Sequence, residues 1–208
     1  MKPNCAISTP ETFDALMEIV NIGVGRAAAS ISELCSRPVG LAVPSIEFFN
    51  LDDPTQFVEL QKGSAIRVSQ AFSGTLSGHA LLVLNESGAR RLGELLLGAT
   101  GTPDVLNENE QAALLELGNI IMGGVIGNLA DQLGGPVFYE LPQLQLRGIS
   151  GFVDLISDLV ATDTSRVLLM RASLTIAEES ISGYLVLLFT RDQLADLLSR
   201  LEESISQQ

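Results

Sequence analysis

One small constellation occurs twice in this chain, 98 positions apart. Asp14, Glu18, Asn21 and Pro44 recur as Ala112, Glu116, Asn119 and Pro142. Each copy reads Glu-x-x-Asn on a run of apolar periodicity, with a proline 23 positions after the asparagine. Self-similarity at a fixed spacing is the mark of a duplicated structural unit, so the fold must place two equivalent halves. Polar residues that survive in both halves point further, to a duplicated surface site.

The text around each copy sets the order of elements. Thr9-Pro10-Glu11 opens a helix, with Thr9 at the N-cap, Pro10 at the first helical position and Glu11 at the positive end of the dipole. Phe13, Leu16, Met17, Val20, Val24, Ala27 and Ile31 then recur at a helical period up to Ser36-Arg37-Pro38. Asn107 and Glu110 predict a capping box for the second helix, which runs through Leu114, Leu117, Ile121, Val125 and Leu129 to Gly134-Gly135-Pro136. Strands are predicted at 39–43, 45–49, 65–72 and 75–84, and again at 137–141, 143–146, 167–176 and 180–189. Closing helices follow at 88–97 and 192–201, the latter capped by Thr190 with Gln193. The repeats span about 9–99 and 107–203, with Thr100-Gly101-Thr102-Pro103 as the seam. Ser77-Gly78-His79 matches Ser182-Gly183-Tyr184, so the second half carries extra residues, expected in the acidic segment 150–165. The expected fold is α+β: a single pseudo-twofold domain over 1–208, with two long surface helices on a shared, mainly antiparallel sheet.

At 100° per residue, Asp14, Glu18, Asn21 and Gly25 fall on one helical stripe, away from Phe13, Val20, Val24 and Ile31. Ala112, Glu116, Asn119 and Gly123 stand in the same relation. A mid-helix glycine costs roughly 1 kcal/mol relative to alanine, so Gly25 and Gly123 need a reason. They either keep the surface bare for another protein's backbone or let one helix pack closely on another element. Pro44 and Pro142 shape the strand beside each helix. A carboxamide is no general base, but it holds a water through one donor and one acceptor, and a carboxylate can pair with another protein's lysine. Such a couple suits completion of a site hosted elsewhere.

Composition narrows the class. The chain has 208 residues, is 46% hydrophobic and carries a net charge of −13, which disfavours nucleic acid or an anionic membrane as partner. Met1-Lys2-Pro3-Asn4-Cys5 has no apolar stretch of leader length, and runs such as 80–84 and 184–189 are too short to span a bilayer, so a cytoplasmic location is expected. Cys5, Cys35 and His79 give neither a disulfide framework nor metal-ligand spacing. No serine or cysteine nucleophile with an adjacent base is evident.

Asp14-x-x-x-Glu18-x-x-Asn21 followed by Pro44, present in duplicate, resembles the signature of the CheC/CheX/FliY family of chemotaxis phosphatases. The resemblance covers essentially the whole chain, and its two helix-borne copies point to the CheC branch. It implies dephosphorylation of the response regulator CheY at a phosphoaspartate. Asn21 and Asn119 would enter the regulator's pocket and orient the attacking water, while Glu18 and Glu116 would pair with its lysine. No cofactor is expected in this chain; Mg²⁺ would reside in the regulator. The receptor deamidase CheD is a second partner that the resemblance implies, and a non-enzymatic adaptor for either protein is the alternative reading. Ala112 departs from the acid or serine that opens the family motif.

Overall fold

The computed structural model describes residues 9–50, 65–97, 106–146, 166–176 and 178–206. The seam at 100–103, the segment 150–165 and Cys5 lie outside them. Helix α1 (Pro10–Cys35) starts as its sequence dictates, Thr9 Oγ1 accepting from the Thr12 amide at 3.3 Å, and ends where Ser36 turns left-handed. Helix α3 (Glu108–Leu133) has both halves of its capping box. Asn107 Oδ1 accepts from the Glu110 amide at 3.0 Å, and Glu110 Oε2 accepts from the Asn107 amide at 2.8 Å. Gly134, at φ 73°, ends it. Shorter helices α2 (Glu86–Leu97) and α4 (Arg191–Ser206) close the halves, with Thr190 and Gln193 capping α4 reciprocally.

The strands are β1 (Val39–Asn50), β2 (Ala65–Gly74), β3 (Gly78–Asn85), β4 (Val137–Tyr139), β5 (Gln143–Gln145), β6 (Arg166–Ile176) and β7 (Glu179–Phe189). Every pairing is antiparallel, in the order β1-β6-β7-β3-β2-β4, with β5 also on β2. The α+β class and shared sheet are therefore as the sequence predicts. The halves interlock: β1 of the first half pairs with β6 of the second, and β4 and β5 of the second pair with β2 of the first.

One face of the sheet carries Val68, Phe72, Leu82, Leu84, Leu185, Leu187 and Phe189 into a single core with Leu16, Val20, Leu117, Ile121, Leu92 and Leu197 from the four helices. Helix α3 is long and apolar enough by composition to cross a membrane, but half of its most apolar window is buried inside this fold. Its apolar surface is core. Helices α1 and α3 pack on each other where a Cβ on Gly23 would lie 2.6 Å from the Gly124 carbonyl oxygen, and one on Gly124 would lie 2.8 Å from that of Gly23. Only glycines permit that approach. Beside it, the buried Asn128 donates Nδ2–H to the Ile19 carbonyl at 2.7 Å.

Most of the surplus length of the second half is not in 150–165. Phe72 pairs with Gly78 at the end of the β2–β3 hairpin, whereas the matching rung, Ala172 with Gly183, is followed by four more, from Ser173–Ser182 to Ile176–Glu179. These rungs also give β1 a partner for Val39–Ala42. A longer hairpin gains ladder hydrogen bonds and cross-strand contacts that an irregular loop lacks.

Candidate functional site

Both Glu-x-x-Asn couples lie on the long helices, and the packing beneath them differs. On α1, Asp14, Glu18, Asn21 and Gly25 are all exposed, while Leu16, Val20, Val24 and Ala27 pack inward. A Cβ added to Gly25 would meet nothing within 4 Å, so this glycine leaves bare surface. Among the described residues, no side-chain hydrogen bond or ion pair engages Glu18 or Asn21. The neighbouring Ile22 is 45% exposed, an apolar side chain standing beside the polar stripe.

On α3, Ala112 and Glu116 are exposed, but Asn119 and Gly123 are half-buried. Gly123 too has open space where its Cβ would be. The close helix contact belongs to Gly23 and Gly124, so the two matched glycines serve no packing role. Two side chains from the sheet reach this second stripe. Gln70, 3% exposed on β2, donates through Nε2 to Asn119 Oδ1 at 3.0 Å and to the Glu140 carbonyl at 2.9 Å. Tyr139 Oη donates to the Gly123 carbonyl at 3.4 Å, and burial pushes this phenol's pKa up, aided by Asp131. Glu116 has no such partner among the described residues.

The prolines mark matched irregularities at the two sheet edges. Between the rungs Ala42–Ser173 and Ser45–Arg171, Val43 and Pro44 together face Ala172. Between Tyr139–Phe72 and Gln143–Ser69, where the Glu140 amide bonds the Ala71 carbonyl, Leu141 and Pro142 together face Gln70. A proline lacks the ladder donor, and a bulge at an edge tolerates that loss. The first bulge interrupts one continuous strand; the second separates two short ones, as the sequence predicts.

These edges are not in the same register. Ile46 faces Met170, but its counterpart Leu144 faces Val68 rather than Gln70, the residue that corresponds to Met170 in the hairpin. The edge strand has slid by two residues between halves. An even slip keeps every side chain on its own face of the sheet. It also decides what lies opposite each bulge: buried Ala172 in the first copy, buried Gln70 in the second.

The sequence reading did not single out Gln70. The signal is there, because Gln70 falls in line with Ile66, Val68 and Phe72 on the core-facing period of β2. His79, half-buried on β3, has its pKa lowered by burial against the opposing effect of Glu140. Cys35 packs against the core, where burial raises its thiol pKa. Among the described residues, no group of three or more His, Cys, Asp or Glu could hold a metal ion.

No protein-family model matches the chain. It is 28% identical over 145 residues to the CheY-P phosphatase CheC of Bacillus subtilis (strain 168), a match spanning 65% of this chain and 66% of that protein, just under two thirds. The Flagellar motor switch phosphatase FliY of the same organism is 25% identical over 144 residues, covering 66% of this chain and 36% of that one. In fold, the chain is similar to the crystal structure of Thermotoga maritima FliY, with a TM-score of 0.74 and 21% identity over 95% of this chain and 98% of that one. Duplicated couples, the interlocked sheet and these likenesses agree: the chain is similar in sequence to CheC and FliY of the CheC/CheX/FliY family and shares the fold of FliY.

Proposed function

We propose that this chain accelerates hydrolysis of the phosphoaspartate of a CheY-type response regulator in the cytoplasm. The observation that carries the reading is the exposed Glu18–Asn21 couple beside bare Gly25, repeated as Glu116–Asn119 beside bare Gly123. The relative named as a CheY-P phosphatase supports the choice of substrate. A rigid helix offers each couple to the regulator's cleft. There the carboxamide of Asn21 or Asn119 holds a water by one donor and one acceptor, aligned for attack on the phosphorus. The carboxylate of Glu18 or Glu116 pairs with the regulator's lysine by a charge-assisted hydrogen bond and fixes the docking angle. The regulator itself would supply Mg²⁺, whose charge would offset that of the phosphoryl oxygens. Phosphoryl transfer of this kind depends mostly on positioning and charge, so two side chains suffice.

The test is phosphate release from a phosphorylated regulator. Asn21→Ala and Asn119→Ala together should lower the rate by at least about 10²-fold, with each single variant losing less because the other copy remains. Asn21 is exposed, so its replacement should leave the melting temperature unchanged, whereas Asn119→Ala removes the acceptor of buried Gln70 Nε2 and should lower it modestly without unfolding the chain. A double variant with wild-type turnover sinks the reading. Binding without any phosphate release from the wild type supports an adaptor instead.

A further inference from the structure

We infer that Gln70 is a positioning residue for Asn119, so that the second copy works with a preset carboxamide and the first with a free one. The inference rests on the phosphatase reading for its kinetic consequence, but its geometry stands alone. The Glu140 carbonyl can only accept, so the Gln70 atom 2.9 Å from it must be the amide nitrogen. That nitrogen has a second hydrogen, directed at Asn119 3.0 Å away, and the Asn119 atom receiving it must be the oxygen. Hence Asn119 is held with one lone pair of Oδ1 occupied and Nδ2 left over as a donor. Asn21, on the exposed stripe of α1, has no such constraint among the described residues.

Stability does not explain this glutamine. Its own Oε1 is buried without a hydrogen-bond partner among the described residues, a state that costs free energy. At the matching hairpin position the other half uses Met170, fully buried and apolar. Opposite the matching bulge it uses Ala172, and where the second half has Tyr139 the first has Leu41. Among the described residues, polar support from beneath is thus confined to one copy. An orphaned oxygen kept in a core position where methionine would fit is the expected signature of a residue retained for what its nitrogen does.

The experiment is a coupling cycle on the full chain. In an Asn21→Ala background, where only the second copy works, adding Gln70→Met should lower kcat about 5-fold with KM unchanged, the cost of freeing one side chain that had been ordered in advance. The melting temperature should hold or rise. In an Asn119→Ala background the same substitution has no carboxamide to act through, and its effect on kcat should vanish. An equal fall in both backgrounds, or a clear drop in melting temperature, would mean a purely structural role and overturn the inference. Side-chain ¹⁵N relaxation decides independently of activity. Asn119 should be rigid and Asn21 mobile in the wild type, with the difference lost in Gln70→Met. Equal mobility in the wild type also overturns it. Full hydrolysis by the variant lacking both asparagines would instead refute the phosphatase reading, leaving the relaxation result to judge Gln70.

Discussion

The first and second copies share a glutamate, an asparagine and an open glycine, yet they stand on different ground. The first stripe lies exposed along α1, over an edge strand whose bulge faces Ala172. The second sinks toward a sheet that sends up Gln70 and Tyr139. A two-residue slip of the edge strand is enough to make that difference, because it changes which side chain faces the bulge while leaving the core pattern intact. The two halves therefore present the same Glu, Asn and Gly on different support. One site is open, with no side-chain tether among the described residues; the other is tethered to Gln70 and begins with Ala112 where the first has Asp14.

The comparison can be broken at the glycines. Gly23→Val should destabilise by about 3 kcal/mol or prevent folding, since the new side chain meets the Gly124 backbone. Gly25→Ala and Gly123→Ala should each stabilise by about 0.5–1 kcal/mol, because helix propensity improves and nothing is struck. Yet both should raise KM for the phosphorylated regulator if these surfaces lie under a partner's backbone. Thermal melts and steady-state kinetics on the three variants check this, and an unchanged KM would free Gly25 and Gly123 from any docking role.

A smaller effect should come from restoring the motif. Ala112→Asp in an Asn21→Ala background should lower KM by about 2-fold without moving the melting temperature, because an exposed charge aids docking more than stability. No change would mean that the opening acid is dispensable on α3. The smallest effect separates His79 from its counterpart Tyr184. Burial keeps the folded-state pKa of His79 below its ordinary 6.5, so the unfolded chain binds the proton more readily. Stability should then fall as pH drops through about 6.5 and level off below the folded pKa. His79→Tyr should flatten that slope in pH-dependent denaturation.

Local features were legible because local chemistry fixes them. Thr9, Asn107 and Thr190 cap the helices they were expected to cap, and Gly134 terminates α3. The outward stripe followed from the 100° step alone. Pro44 announced a break in pairing, although β1 continues past it. The strands of the β6–β7 hairpin were legible, 167–176 and 180–189 against the observed Arg166–Ile176 and Glu179–Phe189, but the four rungs that make it longer than its counterpart were not, and the surplus was assigned to 150–165. Nor was the edge register, which depends on partners far apart in sequence. Gln70 was not singled out, because a polar residue on an apolar period also fits a bulge or an error of phase.

Strand exchange between the halves has a consequence for how this molecule came to be and how it can change. Each half lends its outermost ribbon to the other's hairpin, as clasped hands do, so neither can be discarded while the other stands. A lineage that lost interest in one copy could erase its asparagine but not its scaffold. The architecture lets the two centres specialise independently while obliging them to be inherited, folded and degraded as one object.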